Sequence, residues 1–112
     1  MKAWYLEVGG RRIRVESHMG LLEHVLGLVV DDAPVAARKG TRFDPGNRVS
    51  ARVRGRDGER LSIRAAVVWT WTEHWLLLDA RVWVNGRRVL HERVVSSAAA
   101  HLRVARAAIR GL

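Results

Sequence analysis

The stretch that decides the fold is residues 74–95, HWLLLDARVWVNGRRVLHERVV. Apolar side chains take every second position from Leu76 to Val84, which is the two-residue period of a β-strand with one buried face. Asn85-Gly86 follows, and this dipeptide suits a two-residue hairpin turn because both residues tolerate positive φ. Residues 87–95 then return in the opposite direction. The stretch predicts an antiparallel hairpin.

The same alternation, interrupted by turn residues, extends back to the N-terminus. It is clearest in residues 2–8 and 11–18 around Gly9-Gly10, and in residues 48–54 and 61–71 around a Gly-Arg-Asp-Gly turn. Residues 21–30 and 34–39 flank Asp31-Asp32 and are expected to be two further strands, and residues 40–47 form the longest loop. We therefore expect about eight strands in a meander, folded as an antiparallel β-sandwich or a flattened barrel.

The pattern changes after Ser96-Ser97. Serine is a preferred N-cap, and the following AAAHLRVARAAIR consists of good helix formers. Its apolar side chains recur at helical spacing, which predicts an amphipathic helix. We expect a single domain, 1–112, with antiparallel β structure over 1–95 and a basic C-terminal α-helix over 96–111.

Composition excludes several classes of function. The chain of 112 residues has no cysteine, so disulfides, thiolate metal sites and thiol nucleophiles are excluded. No apolar run approaches the roughly 18 residues of a membrane span, and the N-terminus lacks a signal-peptide pattern. We expect a cytoplasmic protein that does not use a membrane.

The net charge of +9 has two interpretations. A basic protein can bind nucleic acid or another anion. However, 18 of the 20 basic residues are arginine, and together with abundant alanine, valine and glycine this is also what GC-rich codons produce without selection for binding.

An arginine-rich sheet face is the first candidate site. Alternation places Arg48, Arg52 and Arg54 on one side of their strand, and Arg60 and Arg64 on the same side of its hairpin partner. These side chains could contact nucleic acid or another anion, helped by Arg103, Arg106 and Arg110 of the expected helix. The alternative is that the solvated face of any antiparallel sheet is polar.

An apolar strip on the expected outer face is the second candidate. Trp75, Leu77 and Trp83 lie opposite the core positions of their strand. Exposed apolar patches mark interaction surfaces unless another element covers them. The C-terminal helix or a second subunit in a homodimer could cover this one.

Nothing in the sequence indicates catalysis, a cofactor or a metal site. The five histidines lack any recurrent ligand spacing, and no serine has the context of a nucleophile. Of the neighbouring glutamate and histidine pairs, only Glu16 and His18 share a strand face. A small-ligand or enzymatic site at the mouth of the β structure remains an alternative, formed by His74, Trp75, Asp79 and Trp83.

The order of strands and turns over residues 3–92 resembles the β domain of the Fas apoptotic inhibitory molecule family. The resemblance lies in AWYLEV (3–8), RIRVESH (12–18), VVDD (29–32) and VWVNGRRV (82–89). The chain departs from the family in two places. Asp32 stands where the family has glycine at its first turn, and the arginine-rich C-terminus has no obvious counterpart in the family. The resemblance implies a compact, non-enzymatic β-sandwich used for protein contacts.

The function expected from the sequence is a non-enzymatic binding domain that contacts a protein partner or a second copy of itself. The first alternative is a nucleic-acid-binding module that uses the arginine-rich sheet face. The second is a small-ligand or enzymatic β-barrel.

Overall fold

The computed structural model describes residues 2–20, 22–41, 46–71 and 75–97, and these residues form two separate antiparallel sheets of four strands. The N-terminal sheet has the order β1-β2-β3-β4, and the C-terminal sheet has the order β5-β6-β7-β8. The strands are β1 (Lys2–Val8), β2 (Arg11–Met19), β3 (Glu23–Val30), β4 (Ala33–Thr41), β5 (Gly46–Arg54), β6 (Arg60–Trp71), β7 (Trp75–Val84) and β8 (Arg87–Ser97). The expected eight-stranded meander is confirmed, as a sandwich of two sheets.

Three of the hairpins have two-residue turns in which both residues adopt positive φ. They are Gly9-Gly10 (56° and 73°), Asp31-Asp32 (48° and 66°) and Asn85-Gly86 (51° and 80°). Turns of this kind match the twist of the strands that they join. The two aspartates adopt this conformation without glycine, and Asp31 accepts a hydrogen bond from the Arg12 amide at 2.9 Å.

The inner faces of the two sheets form one hydrophobic core. The buried side chains confirm the predicted alternation in β1, β2, β5, β6 and β7, and β3 buries residues at the same spacing. Among the described residues, the edge strands β4 and β8 contribute no buried hydrophobic side chain to this core. The core comprises Trp4, Ile13, Val15, Leu26, Leu28, Val30, Val49, Leu61, Ile63, Ala65, Val67, Trp69, Leu76, Leu78, Ala80, Val82 and Val84. Outward-facing residues of the same strands are therefore available for contacts with partners.

One buried polar pair lies at the interface between the sheets. Ser17 Oγ and His24 Nε2 are 2.7 Å apart, and both residues are buried within the N-terminal sheet. The His24 ring lies 4.3 Å from the ring of Trp69 in the C-terminal sheet. This contact stabilises the packing of one sheet on the other, and its burial gives it no access to a solvent-borne substrate.

The C-terminal boundary differs from the expected one. Strand β8 continues through Ser97, where the sequence had suggested the start of a helix at residue 96. The remainder of the expected helix, 98–111, lies outside the described residues, as do its arginines Arg103, Arg106 and Arg110. Within the described ranges no helix is long and apolar enough to cross a membrane.

Candidate functional site

The two sheets differ in charge. The described part of the N-terminal sheet and its turns contains six basic and five acidic residues. The described part of the C-terminal sheet and its turns contains ten basic but only four acidic residues. Most of the positive charge of the chain is therefore carried by one half of the sandwich.

On the N-terminal sheet, cations are paired with carboxylates. Arg14 Nε donates to Glu16 Oε1 at 2.6 Å, and His18 Nε2 lies 3.1 Å from Glu16 Oε2. The pKa of Glu16 is lowered by the hydrogen bond with His18 and then by Arg14, in spite of the opposing effect of partial burial. The shared face expected for Glu16 and His18 is confirmed, and Arg14 neutralises the pair further.

The Asp31-Asp32 turn supplies two further carboxylates to this sheet. Asp31 pairs with Arg11 at 2.8 Å, and Asp32 pairs with Arg12 at 2.9 Å. The hydrogen bond from Arg11, followed by that from the Arg12 backbone amide, lowers the pKa of Asp31. The N-terminal sheet thus neutralises most of its own charge.

On the C-terminal sheet, the five arginines predicted to share a face all lie exposed on its outer side. We call Arg48, Arg52, Arg54, Arg60 and Arg64 the arginine face. Among the described residues, no carboxylate lies within 4 Å of any of these guanidinium groups. The sequence therefore predicted the placement of this face, and the structure adds that its arginines have no carboxylate partner in the part of the chain that it describes.

Strand register explains how these arginines coexist. Arg48 lies opposite Ala66, Arg52 opposite Ser62, and Arg64 opposite Ser50. Like charges directly across an antiparallel pair destabilise it, and small partners avoid that repulsion. The exception is Arg54, which lies directly opposite Arg60 and so concentrates positive charge at that end of the hairpin.

The surface around these arginines is uneven. One depression of about 440 Å³ is bordered by Arg48, Arg64 and Trp83, and another of about 570 Å³ is bordered by Arg52, Arg54 and Arg60. Both are open to solvent and have cationic rims. Such shallow, positively charged sites suit part of an extended anionic chain better than an enclosed small ligand.

The structure does not keep the predicted apolar strip of Trp75, Leu77 and Trp83 together, because Trp83 lies apart from the other two residues. Trp83 is half-buried beside the arginine face, with Arg64 Cζ 4.6 Å from its ring centroid. Trp75 lies eight residues away along β7, a separation of about 27 Å at 3.4 Å per residue. Leu77 and Trp75 instead share the outer face with Val68 and Val95, and we call these four residues the apolar cluster.

Asp79 lies between the arginine face and the apolar cluster and is surrounded by cations. Its carboxylate oxygens lie 3.2 Å from Arg81 Nε, 3.1 Å from His91 Nε2 and 3.1 Å from Arg93 Nε. Partial burial alone would raise the pKa of Asp79, but the hydrogen bonds with His91 and Arg93 lower it overall. Sequence reasoning missed this cluster, because the register of β7 and β8 brings His91 and Arg93 to Asp79, whereas Arg81 follows Asp79 on the same face of β7.

The small-ligand site suggested by the sequence is not brought together. Trp75 and Trp83 are too far apart to surround one small molecule. The carboxylate of Asp79 already contacts the side chains of Arg81, His91 and Arg93. His74 lies outside the described residues. In the part of the chain that the structure describes, no three histidine or acidic side chains are placed to hold a metal ion.

The resemblance to the Fas apoptotic inhibitory molecule family stays a prediction. Comparison of the chain with protein-family models, with curated proteins and with solved structures gave no match.

Proposed function

We propose that the chain is a non-enzymatic binding domain that holds nucleic acid on its arginine face, and that it acts in the cytoplasm. The observation that carries the proposal is the contrast between the sheets. Arginines of the N-terminal sheet, such as Arg11, Arg12 and Arg14, have carboxylate partners within 3 Å. The arginine face has none within 4 Å among the described residues.

Codon composition does not account for this contrast. A bias toward arginine codons acts on both halves of the chain, so it adds arginine to both sheets. It does not separate carboxylates from the arginine face while leaving them beside Arg11, Arg12 and Arg14 of the N-terminal sheet and beside Arg81 and Arg93 elsewhere on the C-terminal sheet. A surface that binds an anion requires that separation, because a guanidinium group already paired with a carboxylate is less available to a phosphate.

Guanidinium chemistry favours a phosphate backbone as the ligand. The planar guanidinium group donates two parallel hydrogen bonds to a phosphate, and it keeps its charge at all physiological pH values. Arg48, Arg52 and Arg54 are spaced two residues apart or more along β5, so they present several such groups in a row. A chain of phosphates can engage them together, whereas a single small anion cannot.

Fluorescence anisotropy with a labelled 12-nucleotide thymidine strand tests the proposal. If all five arginines contact phosphates, log K should fall with log salt with a slope of about −3.5, from about −0.7 per contact. The double variant Arg52→Glu/Arg64→Glu should reduce affinity at least tenfold. Both side chains are exposed, so this variant should stay folded.

The matched control is Arg12→Glu/Lys39→Glu, which makes the same charge change on exposed positions of the N-terminal sheet. It should retain most of the affinity. An equal loss in both variants would show that only net charge matters, and salt-independent or absent binding would refute the proposal. Equally strong competition by polyglutamate of matched charge would point to an acidic protein as the partner.

A second candidate function, self-association, is favoured by the apolar cluster. Val68, Trp75 and Val95 are each at least half exposed on the outer face of the same sheet, and Val95 lies directly opposite Leu77. Such a cluster can be buried by the same cluster of a second copy in a two-fold dimer. Light scattering over a range of concentrations should then show a doubled mass that Trp75→Ser abolishes, and a constant monomer mass would exclude the dimer.

A further inference from the structure

The depression of about 440 Å³ beside Trp83 arises from the alternation of small and large side chains. Across the sheet, Gly46 pairs with Val68, Arg48 with Ala66, and Arg64 with Trp83. Gly46 and Ala66 have almost no side chain, so the surface sinks between the long side chains around them. The result is a recess with an apolar floor, one aromatic wall and two cationic groups at its rim.

Backbone packing keeps one corner of this recess free of side chains. A Cβ atom at Gly46 would lie 2.7 Å from the carbonyl oxygen of Val67 and 3.1 Å from the Cα of Val68. Contacts that short are not tolerated, so no larger residue fits without moving β5 away from β6. The absence of a side chain at this corner is therefore built into the pairing of the two strands.

Trp83 and Arg64 form a mixed wall. The Arg64 guanidinium lies over the indole ring, with Cζ 4.6 Å from its centroid, which is the geometry of a cation–π contact. Because this guanidinium covers part of one ring face, a nucleobase would stack on the uncovered part of the indole, and the same guanidinium can reach the phosphate of that nucleotide. The two components of nucleotide recognition are therefore adjacent.

The amide beside the recess is not free to recognise the edge of a base. Asn47 Nδ2 donates to the Arg38 carbonyl oxygen at 2.7 Å, and Asn47 Oδ1 accepts from the Arg48 amide at 2.9 Å. Both ends of this amide are thus engaged within the protein, and the bond to Arg38 fixes the start of β5 against β4. A base in the recess would accordingly be held by its ring face rather than through this amide.

We infer that this recess is a subsite for one unpaired nucleobase, stacked beside Trp83, so that the ligand of the arginine face is a single strand rather than a duplex. This inference rests on the proposed function. In a duplex the ring faces are covered by neighbouring base pairs, so an aromatic wall offers it nothing. The phosphates of a single strand meet the arginines, and one of its bases enters the recess.

The test compares three labelled ligands of equal length: a thymidine strand, the same strand with every base removed, and a duplex. Wild-type protein should bind the thymidine strand about tenfold more tightly than the abasic strand, the size expected for one stacked base. Trp83→Leu should lower thymidine binding to the abasic level. Trp83→Phe, which keeps a stacking ring, should retain most of the difference.

A second variant tests the recess without changing Trp83, in case the Trp83 variants misfold. Ala66→Leu fills the floor of the recess from the outer face and leaves Trp83 in place. It should weaken thymidine binding and leave abasic binding unchanged, and unfolding curves confirm that each variant is folded.

The failures of the two proposals are distinguishable. If the wild type binds the abasic strand or the duplex as tightly as the thymidine strand, and Arg52→Glu/Arg64→Glu still loses binding, the base subsite is wrong and the arginine face stands. The subsite is equally overturned if Ala66→Leu leaves thymidine binding unchanged. If no strand binds at any salt concentration, the proposed function fails and the subsite fails with it.

Discussion

Replacing Asp79 with asparagine should destabilise the protein and, under the proposed function, strengthen its binding to nucleic acid. Asp79 is the carboxylate on which Arg81, His91 and Arg93 converge. Asp79→Asn keeps the volume of the side chain and removes its charge. The guanidinium groups of Arg81 and Arg93 then face a neutral amide and each other, while the C-terminal sheet loses one of its four described carboxylates.

The size of the expected loss in unfolding free energy depends on how far solvent reaches the ion pairs of Asp79. Hydrogen bonds to charged groups contribute about 1.5–3 kcal/mol when they are shielded, and exposed ion pairs contribute about 0–1 kcal/mol. The Asp79 side chain is only 16% exposed, but those of Arg81 and Arg93 are 43% and 66% exposed. Solvent therefore screens most of the attraction, and we expect the variant to lose about 1–2 kcal/mol of unfolding free energy at pH 7.

Urea denaturation at low and high salt measures this loss. Glu59→Gln is the matched control, because it removes one exposed carboxylate of the same sheet that has no cationic side chain within 4 Å among the described residues. The difference between wild type and Asp79→Asn should shrink in 1 M salt, where the screening length is about 3 Å. A loss below about 0.5 kcal/mol, or one equal to that of Glu59→Gln, would refute the reasoning.

The pH dependence has a definite sign. The pKa of Asp79 is lowered in the folded protein, so its stabilising contribution is complete above the ordinary pKa of an aspartate. It is lost as pH falls through the lowered value. The stability curves of wild type and Asp79→Asn should therefore be separated at neutral pH and converge in acid, and curves that stay parallel down to pH 2 would contradict the assignment.

Two further variants test features of the fold. Asp32→Gly should stabilise the protein by up to about 1 kcal/mol in thermal or urea unfolding. Residue 32 has a φ of 66°, which glycine adopts more easily than aspartate, and the exposed ion pair with Arg12 contributes little. A clear loss of stability would show that this ion pair matters more than the backbone conformation. Ser17→Ala should cost about 1–3 kcal/mol, because it removes the hydroxyl from a buried hydrogen bond with His24, whereas exposed Ser62→Ala should be nearly neutral.

The strands and their buried faces could be predicted because alternation is a local property. Each of β5, β6 and β7 places apolar residues at every second position, and Asn85-Gly86 fixes the turn that follows. The outward direction of the five arginines follows from the same alternation. Which residue lies opposite another across the sandwich or on the neighbouring strand is not a local property, so alternation does not predict it.

The irregularities of the two sheets were not predicted. The register shifts between Leu28 and Val29 and between Val82 and Trp83. The second shift inserts one extra residue into β8 and helps to determine which of its residues meet those of β7. The cations around Asp79 depend on that register, so they could not be derived from alternation alone.

Turn geometry does not account for the charge contrast between the sheets, as two equivalent turns illustrate. Asp31-Asp32 and Asn85-Gly86 adopt the same positive-φ geometry at equivalent places in the two meanders. The first supplies two carboxylates to neighbouring arginines, whereas the second caps its strands with a neutral amide, since Asn85 Oδ1 accepts from the Ser62 amide at 2.9 Å. Turn geometry thus permits either choice. A fold that needs only a hairpin would not distinguish them, but a surface that must remain positive for a phosphate chain would.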